Sequence, residues 1–270
     1  MSTGRHNMIL KDAVAILVGA GKLNGIGAAT AELLASRGCR ILLNTLKSRD
    51  QAEKVIAKCQ KKGADIALFF GDVTSAETCQ EMADFAKKKW GKVDIIVNCQ
   101  GATKSAPYEK LDKLTSSDFT RLFAVNAVSP YLVVQAFQSL LRSSGNAVVV
   151  NVSSAAGITG KGSSIAYATA KGAENTLTLS LAQALSPEVR VNAVCPSFVD
   201  SSWWEEAFHD KKDKYDSLVK GMKSSNLLGK VLTPTDVART ILSIIENPVM
   251  TGEIIRLDAG AHVGKANVRE

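Results

Sequence analysis

Tyr167-Ala168-Thr169-Ala170-Lys171 places a phenol and an ammonium at positions i and i+4. On a helix these positions share one face, about a turn apart. An ammonium beside a phenol favours the phenolate and lowers a pKa that is otherwise about 10. Such a pair can donate and accept protons near neutrality. A second stretch, Gly19-Ala20-Gly21-Lys22-Leu23-Asn24-Gly25-Ile26-Gly27, suits a phosphate. Glycines let the backbone approach a pyrophosphate closely, and a helix opening there offers free N–H groups. The spacing is not that of G-x-G-x-x-G. Some twenty residues on, an acid would bind a ribose 2′-hydroxyl. Asn44 stands there instead, followed by Lys47 and Arg49. These basic groups suit a 2′-phosphate, so NADP(H) is favoured, with NAD(H) the alternative.

The elements that must position these groups alternate in type. Residues 13–18 form an apolar run ending at glycine, as a strand buried on both faces does. A helix is predicted over 28–37, closed by Gly38. Further strands are predicted over 40–44, 65–70, 93–98, 147–152, 189–194 and 253–257. Helices are predicted over 50–62, 76–90 and 116–142, the last with a kink at Ser129-Pro130. Another carries Tyr167 and Lys171 to residue 185, and one over 233–247 opens with Thr233-Pro234. This alternation predicts an α/β, doubly wound Rossmann-type parallel sheet of about seven strands with helices on both faces. Residues 1–270 read as a single dinucleotide-binding catalytic domain. Residues 201–225 break the rhythm with Trp203, Trp204, Phe208 and a charged run. An insertion at the carboxyl edge of a parallel sheet is where ligands bind, so this stretch is read as a substrate lid. A packed pair of surface helices is the alternative.

Composition excludes several classes. With 46% hydrophobic and 22% charged residues the chain is globular. No apolar run reaches the length of a membrane span, and no apolar segment follows the polar start, so a cytoplasmic protein is expected. Cys39, Cys59, Cys79, Cys99 and Cys195 form no Cys-x-x-Cys pair and lie far from His6, His209 and His262. No metal site is expected, and the thiols fit a reducing compartment. The net charge of +7 is scattered, without interleaved aromatics. That argues for a solvated surface rather than nucleic-acid binding.

From residue 10 to 260 the chain resembles the classical short-chain dehydrogenase/reductase family, and 3-oxoacyl-thioester reductases in particular. The resemblance rests on Gly25-Ile26-Gly27, on Asp72-Val73, and on Asn98-Cys99-Gln100-Gly101 in place of Asn-Asn-Ala-Gly. It rests also on Asn126, on Ser154 thirteen residues before Tyr167, and on Val191 to Pro196. It implies Asn126, Ser154, Tyr167 and Lys171 as the catalytic residues, with Asn126 positioning a relay water. It implies cofactor contacts from Gly19, Gly21, Gly25, Ile26, Gly27, Asn44, Lys47, Asp72, Val73, Asn98 and Gly101. Tyr167, Lys171, Pro196, Val199 and Ser201 complete that set. Ser154, Tyr167, Trp203 and Trp204 are the expected substrate contacts. Hydride transfer to a small ketone, or from a secondary alcohol, is the implied reaction, in a homodimer or homotetramer. A non-catalytic NADP-binding sensor or scaffold is the competing reading. Two departures concern the cofactor: Cys99 and Gln100 replace Asn and Ala, and the turn is two residues longer than usual if counted from Gly19.

Overall fold

The computed structural model of the protein describes residues 7–204 and 208–265. His6, the start of the chain and part of the predicted lid lie outside the described residues. Strands β1 (Val14–Val18), β2 (Arg40–Thr45), β3 (Ile66–Phe70), β4 (Ile95–Asn98), β5 (Ala147–Val152), β6 (Val189–Pro196) and β7 (Ile254–Leu257) form one sheet. Its order is β3-β2-β1-β4-β5-β6-β7, and every pairing is parallel.

The central strands are apolar because both faces are covered. Side chains alternate across the sheet. Ala15 and Leu17 join Ile41, Leu43, Val148 and Val150 in one core layer. Val14, Ile16 and Val18 join Leu42, Ile96 and Val149 in the other. Helices α1 (Ile26–Ser36) and α2 (Arg49–Gln60) cover the first layer, and α3 (Ala76–Trp90) the second. No described helix is long and apolar enough to cross a membrane.

The stretch predicted as one kinked helix over 116–142 is three pieces. Helix α4 (Ser116–Phe123) opens with a reciprocal cap between Thr115 and Asp118. A π turn over Ala124–Val128 follows, in which the Ser129 N–H donates to Ala124 O. Helix α5 (Ser129–Ser144) then begins, with Pro130 in its first turn. The irregularity runs up to the proline: the backbone stays helical on both sides, Pro130 has no N–H to continue the ladder, and the Val125 carbonyl accepts the Ser129 hydroxyl at 2.7 Å.

After β5 come the short α6 (Ala156–Thr159) and the long α7 (Ile165–Leu185), whose cap is Ser164. The region predicted as a lid contains a single turn at Ser202–Trp204 and an exposed helix, α8 (Lys212–Ser224). Helix α9 (Pro234–Glu246) precedes β7, and a buried Arg190 guanidinium donates to Ile244 O, Ile245 O and Met250 O at its carboxyl end. A cation there also offsets the helix dipole.

Candidate active site

Ser164 accepts a hydrogen bond from the Tyr167 N–H at 3.2 Å, which sets Tyr167 in the first turn of α7. Tyr167 is half-buried and packs against a small cluster of Leu122, Ala166 and Ala170. One turn on, Lys171 is 2% exposed. Its Nζ donates to Val152 O at 2.9 Å and to Glu174 Oε2 at 2.8 Å. Burial works against the Lys171 ammonium, but Glu174, and then the Tyr167 phenol, outweigh it, and the net direction is upward. Burial pushes Glu174 up to about 7, opposed by Lys171 and by the Ser153 hydroxyl. We take the pair as ionised at and above neutrality, since an ammonium beside a neutral acid would be an uncompensated buried charge.

Gly157 lets α6 lie directly on this segment. A Cβ there would fall 2.5 Å from the Lys171 carbonyl carbon. Ser154, at the end of β5, is half-buried, and its Oγ accepts from the Ala156 N–H at 3.1 Å. That use of a lone pair leaves the hydroxyl proton for an acceptor in the cleft. Asn126 lies in the π turn and is fully buried. Its Nδ2 donates to Ala102 O at 2.9 Å and Leu122 O at 2.8 Å, and its Oδ1 accepts from the Ala102 N–H at 3.3 Å. The side chain therefore pins the loop after β4 to the π turn.

On the nucleotide side, β1 ends at Val18 and α1 starts at Ile26, so the glycine turn occupies all of residues 19–25. The longer of the two alignments is the one adopted. Gly19 has φ +67°, and a Cβ on it would lie 2.6 Å from Gln100 Cα. Gly25 caps α1 without a side-chain bond, and no acid occupies the first turn, so N–H groups of Ile26 and Gly27 face the turn unneutralised. Asn44 is buried; it accepts from the Gly19 N–H and donates to Phe69 O and Gly71 O. It holds the turn from beneath. Lys47 is exposed at the rim, and the Arg49 guanidinium lies 5.0 Å above the Phe70 ring.

Asp72 accepts from the Thr74 N–H and hydroxyl, with Val73 buried beside it. Asn98 donates to Asn151 Oδ1 at 2.8 Å, while its own Oδ1 is buried without a partner. Pro196 ends β6. Val199 O accepts from the Trp204 indole at 3.0 Å and the Ser201 hydroxyl at 3.3 Å. A helix start without a side-chain cap and an orphaned buried acceptor fit a dinucleotide along the carboxyl edge of β1 and β4.

The two tryptophans diverge. A Cβ on Gly101 would lie 3.4 Å from Trp203 and 3.2 Å from Asn126 Oδ1, so both side chains close on Gly101 in the loop after β4. Trp204 stacks on Phe198 at 5.2 Å and joins Phe208 and Tyr215. It lines a cavity of about 1000 Å³ against the outer face of α1, with Ala29, Leu33, Lys58 and Tyr215. Tyr167 does not line that cavity. The sequence reading missed Glu174 and Gly157. Their signals were spacing alone: Glu174 seven residues after Tyr167, and Gly157 three after Ser154.

A family model described as enoyl-(acyl carrier protein) reductase matches residues 19–262. A protein described as ketoacyl reductase 2 of the granaticin polyketide synthase of Streptomyces violaceoruber is 30% identical over 243 residues, covering 90% of this chain and 94% of its own. A solved structure described as a short-chain dehydrogenase/reductase from Burkholderia xenovorans superposes with a TM-score of 0.86 at 35% identity, covering 94% of this chain and 99% of its own. A 7α-hydroxysteroid dehydrogenase solved with NADH and 7-oxo glycochenodeoxycholic acid superposes with a TM-score of 0.83 at 25% identity, covering 97% of this chain and 98% of its own.

Proposed function

The chain belongs to the short-chain dehydrogenase/reductase family of oxidoreductases, and from that premise we propose that it interconverts a small-molecule ketone and secondary alcohol with NADP(H), using Tyr167 as the proton donor and acceptor. The observation that carries this reading is the setting of Tyr167 and Lys171 on one face of α7, with Lys171 bonded to the last residue of β5 and Ser154 two residues beyond. A nicotinamide bound along the carboxyl edge of the sheet supplies or accepts the hydride.

The chain's own groups do the rest. In reduction, Tyr167 Oη gives its proton to the carbonyl oxygen, and the Ser154 hydroxyl donates a hydrogen bond to the same oxygen. Lys171 stabilises the phenolate that remains. Because the Asn126 amide is engaged by Ala102 and Leu122, a relay water would be held by backbone carbonyls of the π turn. NADP(H) is preferred over NAD(H) because Lys47 and Arg49 follow β2 where an acid would repel a 2′-phosphate. Gly19 to Gly27, Asp72, Val73, Asn98, Gly101, Pro196, Val199 and Ser201 are assigned to the cofactor. Trp203 is assigned to the substrate mouth of a lid over 201–225; Trp204 reaches that mouth only if its stack on Phe198 opens. Exposed Phe119, Phe123, Tyr131 and Leu179 on α4, α5 and α7 are assigned to a homodimer or homotetramer contact, which light scattering of the purified protein checks.

The test pairs Tyr167→Phe with a panel of ketones, aldehydes, sugars and acyl thioesters, run with NADPH and with NADH. We expect the variant to keep its NADPH affinity within about threefold and to lose about 10²-fold or more in turnover. Turnover near wild type would sink the mechanism. Oxidation of NADH more than about tenfold faster than NADPH, a difference of about 1.4 kcal/mol, would reverse the cofactor assignment.

A further inference from the structure

Tyr167, Lys171 and Glu174 stand at i, i+4 and i+7 on α7 and share one face. The Lys171 ammonium therefore lies between a phenol and a carboxylate. Glu174 and Val152 O engage two of its three protons. Glu174 is fully buried, and its Oε1 accepts no hydrogen bond, because the neighbouring Ser153 hydroxyl donates to Lys171 O at 3.2 Å. A buried acceptor without a donor is costly, and an apolar side chain would pack at such a position at least as well. Packing does not account for this carboxylate; its charge beside Lys171 does. The titratable groups facing it are Lys171 on its own helix, the Cys195 thiol on β6 and the Cys99 thiol after β4, with the Ser153 hydroxyl just after β5. Desolvation raises both thiols and keeps them neutral, so among the described residues Lys171 is the cation that Glu174 answers.

We propose that Glu174 is a positioning residue for Lys171, on the premise of the Tyr167–Lys171 chemistry above: its carboxylate anchors the ammonium and screens its field at the Tyr167 oxygen. The three side chains then act as one row. With the carboxylate charged, the row's inner half is close to neutral, and the phenolate gains less from Lys171 than it would from an unpaired ammonium. With that charge removed, the buried ammonium is left to Tyr167 for compensation, so its field favours the phenolate.

Ionised tyrosine absorbs in the near ultraviolet where the phenol does not. Subtracting the pH titration of Tyr167→Phe from that of wild type isolates the Tyr167 signal and needs no substrate. The same subtraction is made in a Glu174→Gln background, which keeps an oxygen to accept from Nζ but not the charge. The midpoint is expected to fall by about one pH unit or more. Glu174→Asp keeps the charge but, one methylene shorter, draws it away from Nζ; its midpoint should fall by less, and it carries the test if the Gln variant does not fold. A midpoint that stays at the wild-type pH, or rises, overturns the proposal. Failure of the catalytic reading looks different. There Tyr167→Phe keeps its turnover, whereas an inactive Tyr167→Phe with an unmoved midpoint removes the role of Glu174 alone.

Discussion

Gly19 is held at φ +67° with its α-carbon against Gln100, so two loops of the nucleotide edge meet where no side chain fits. Gly19→Ala adds both a left-handed penalty and a clash with backbone. It should lower stability by about 1–3 kcal/mol and weaken NADPH binding by about tenfold or more, read by thermal unfolding and by fluorescence titration. The pairing of Tyr167 with Lys171 was legible because helix geometry converts a spacing into a shared face. Glu174 was not, although it lies on that same face. A glutamate on a helix ordinarily points to water, and only the packing of α7 on β5 and β6 buries this one. Asn44 shows the same limit in reverse. Its position at the end of β2 marked it as a cofactor contact, and the structure bonds its amide to Gly19, Phe69 and Gly71, a role in holding the glycine turn that the position alone does not reveal.

At the scale of elements, the strands were legible because a strand buried on both faces is a continuous apolar run, as in the Val14–Val18 and Ala147–Val152 segments. The form of the break between α4 and α5 was not: Ser129-Pro130 marks a kink, but no residue signature marks the π turn that leads up to it. Helix α4 nonetheless positions much of the site, since Leu122 packs under Tyr167 and its carbonyl accepts from Asn126. Its start depends on Asp118, whose carboxyl is lowered to about 2 by Lys104 first and then by Thr115. A carboxyl lowered in the folded state stabilises fully above its unfolded pKa of about 4, and that contribution is lost as pH falls through the folded value. Asp118→Asn should therefore unfold at a lower temperature than wild type at pH 7. The gap should close between about pH 4 and pH 2, and scanning calorimetry across that range checks it. A gap that persisted unchanged at pH 2 would place the effect of the substitution elsewhere than in the charge.

At the scale of the whole molecule, the strand order reverses between β1 and β4, and crevices at such a switch point hold ligands. The β1–β3 half carries the glycine turn, and the β4–β6 half carries Asn126, Ser154, Tyr167 and Lys171. The segment after β6 touches both. The Ser202 N–H donates to Asn24 O in the glycine turn at 3.2 Å, and Trp203 lies against Gly101 beyond β4. That an insertion follows β6 was legible from the interrupted alternation. Which of two adjacent tryptophans turns toward Gly101 was not, since a single irregular turn aims successive side chains apart without a period to read. On the assignment proposed above, Trp203 competes for the space of the nucleotide and walls the substrate that follows it. Trp203→Ala should bind NADPH as tightly as wild type or more tightly, because no ring has to be displaced, while KM for a turned-over carbonyl rises by about tenfold as apolar contact is lost. Calorimetric titration with NADPH and steady-state kinetics on the same preparation separate the two effects. Weaker NADPH binding with an unchanged KM would show instead that Trp203 belongs to the nucleotide site and that the substrate is bounded by other residues of the 201–225 segment.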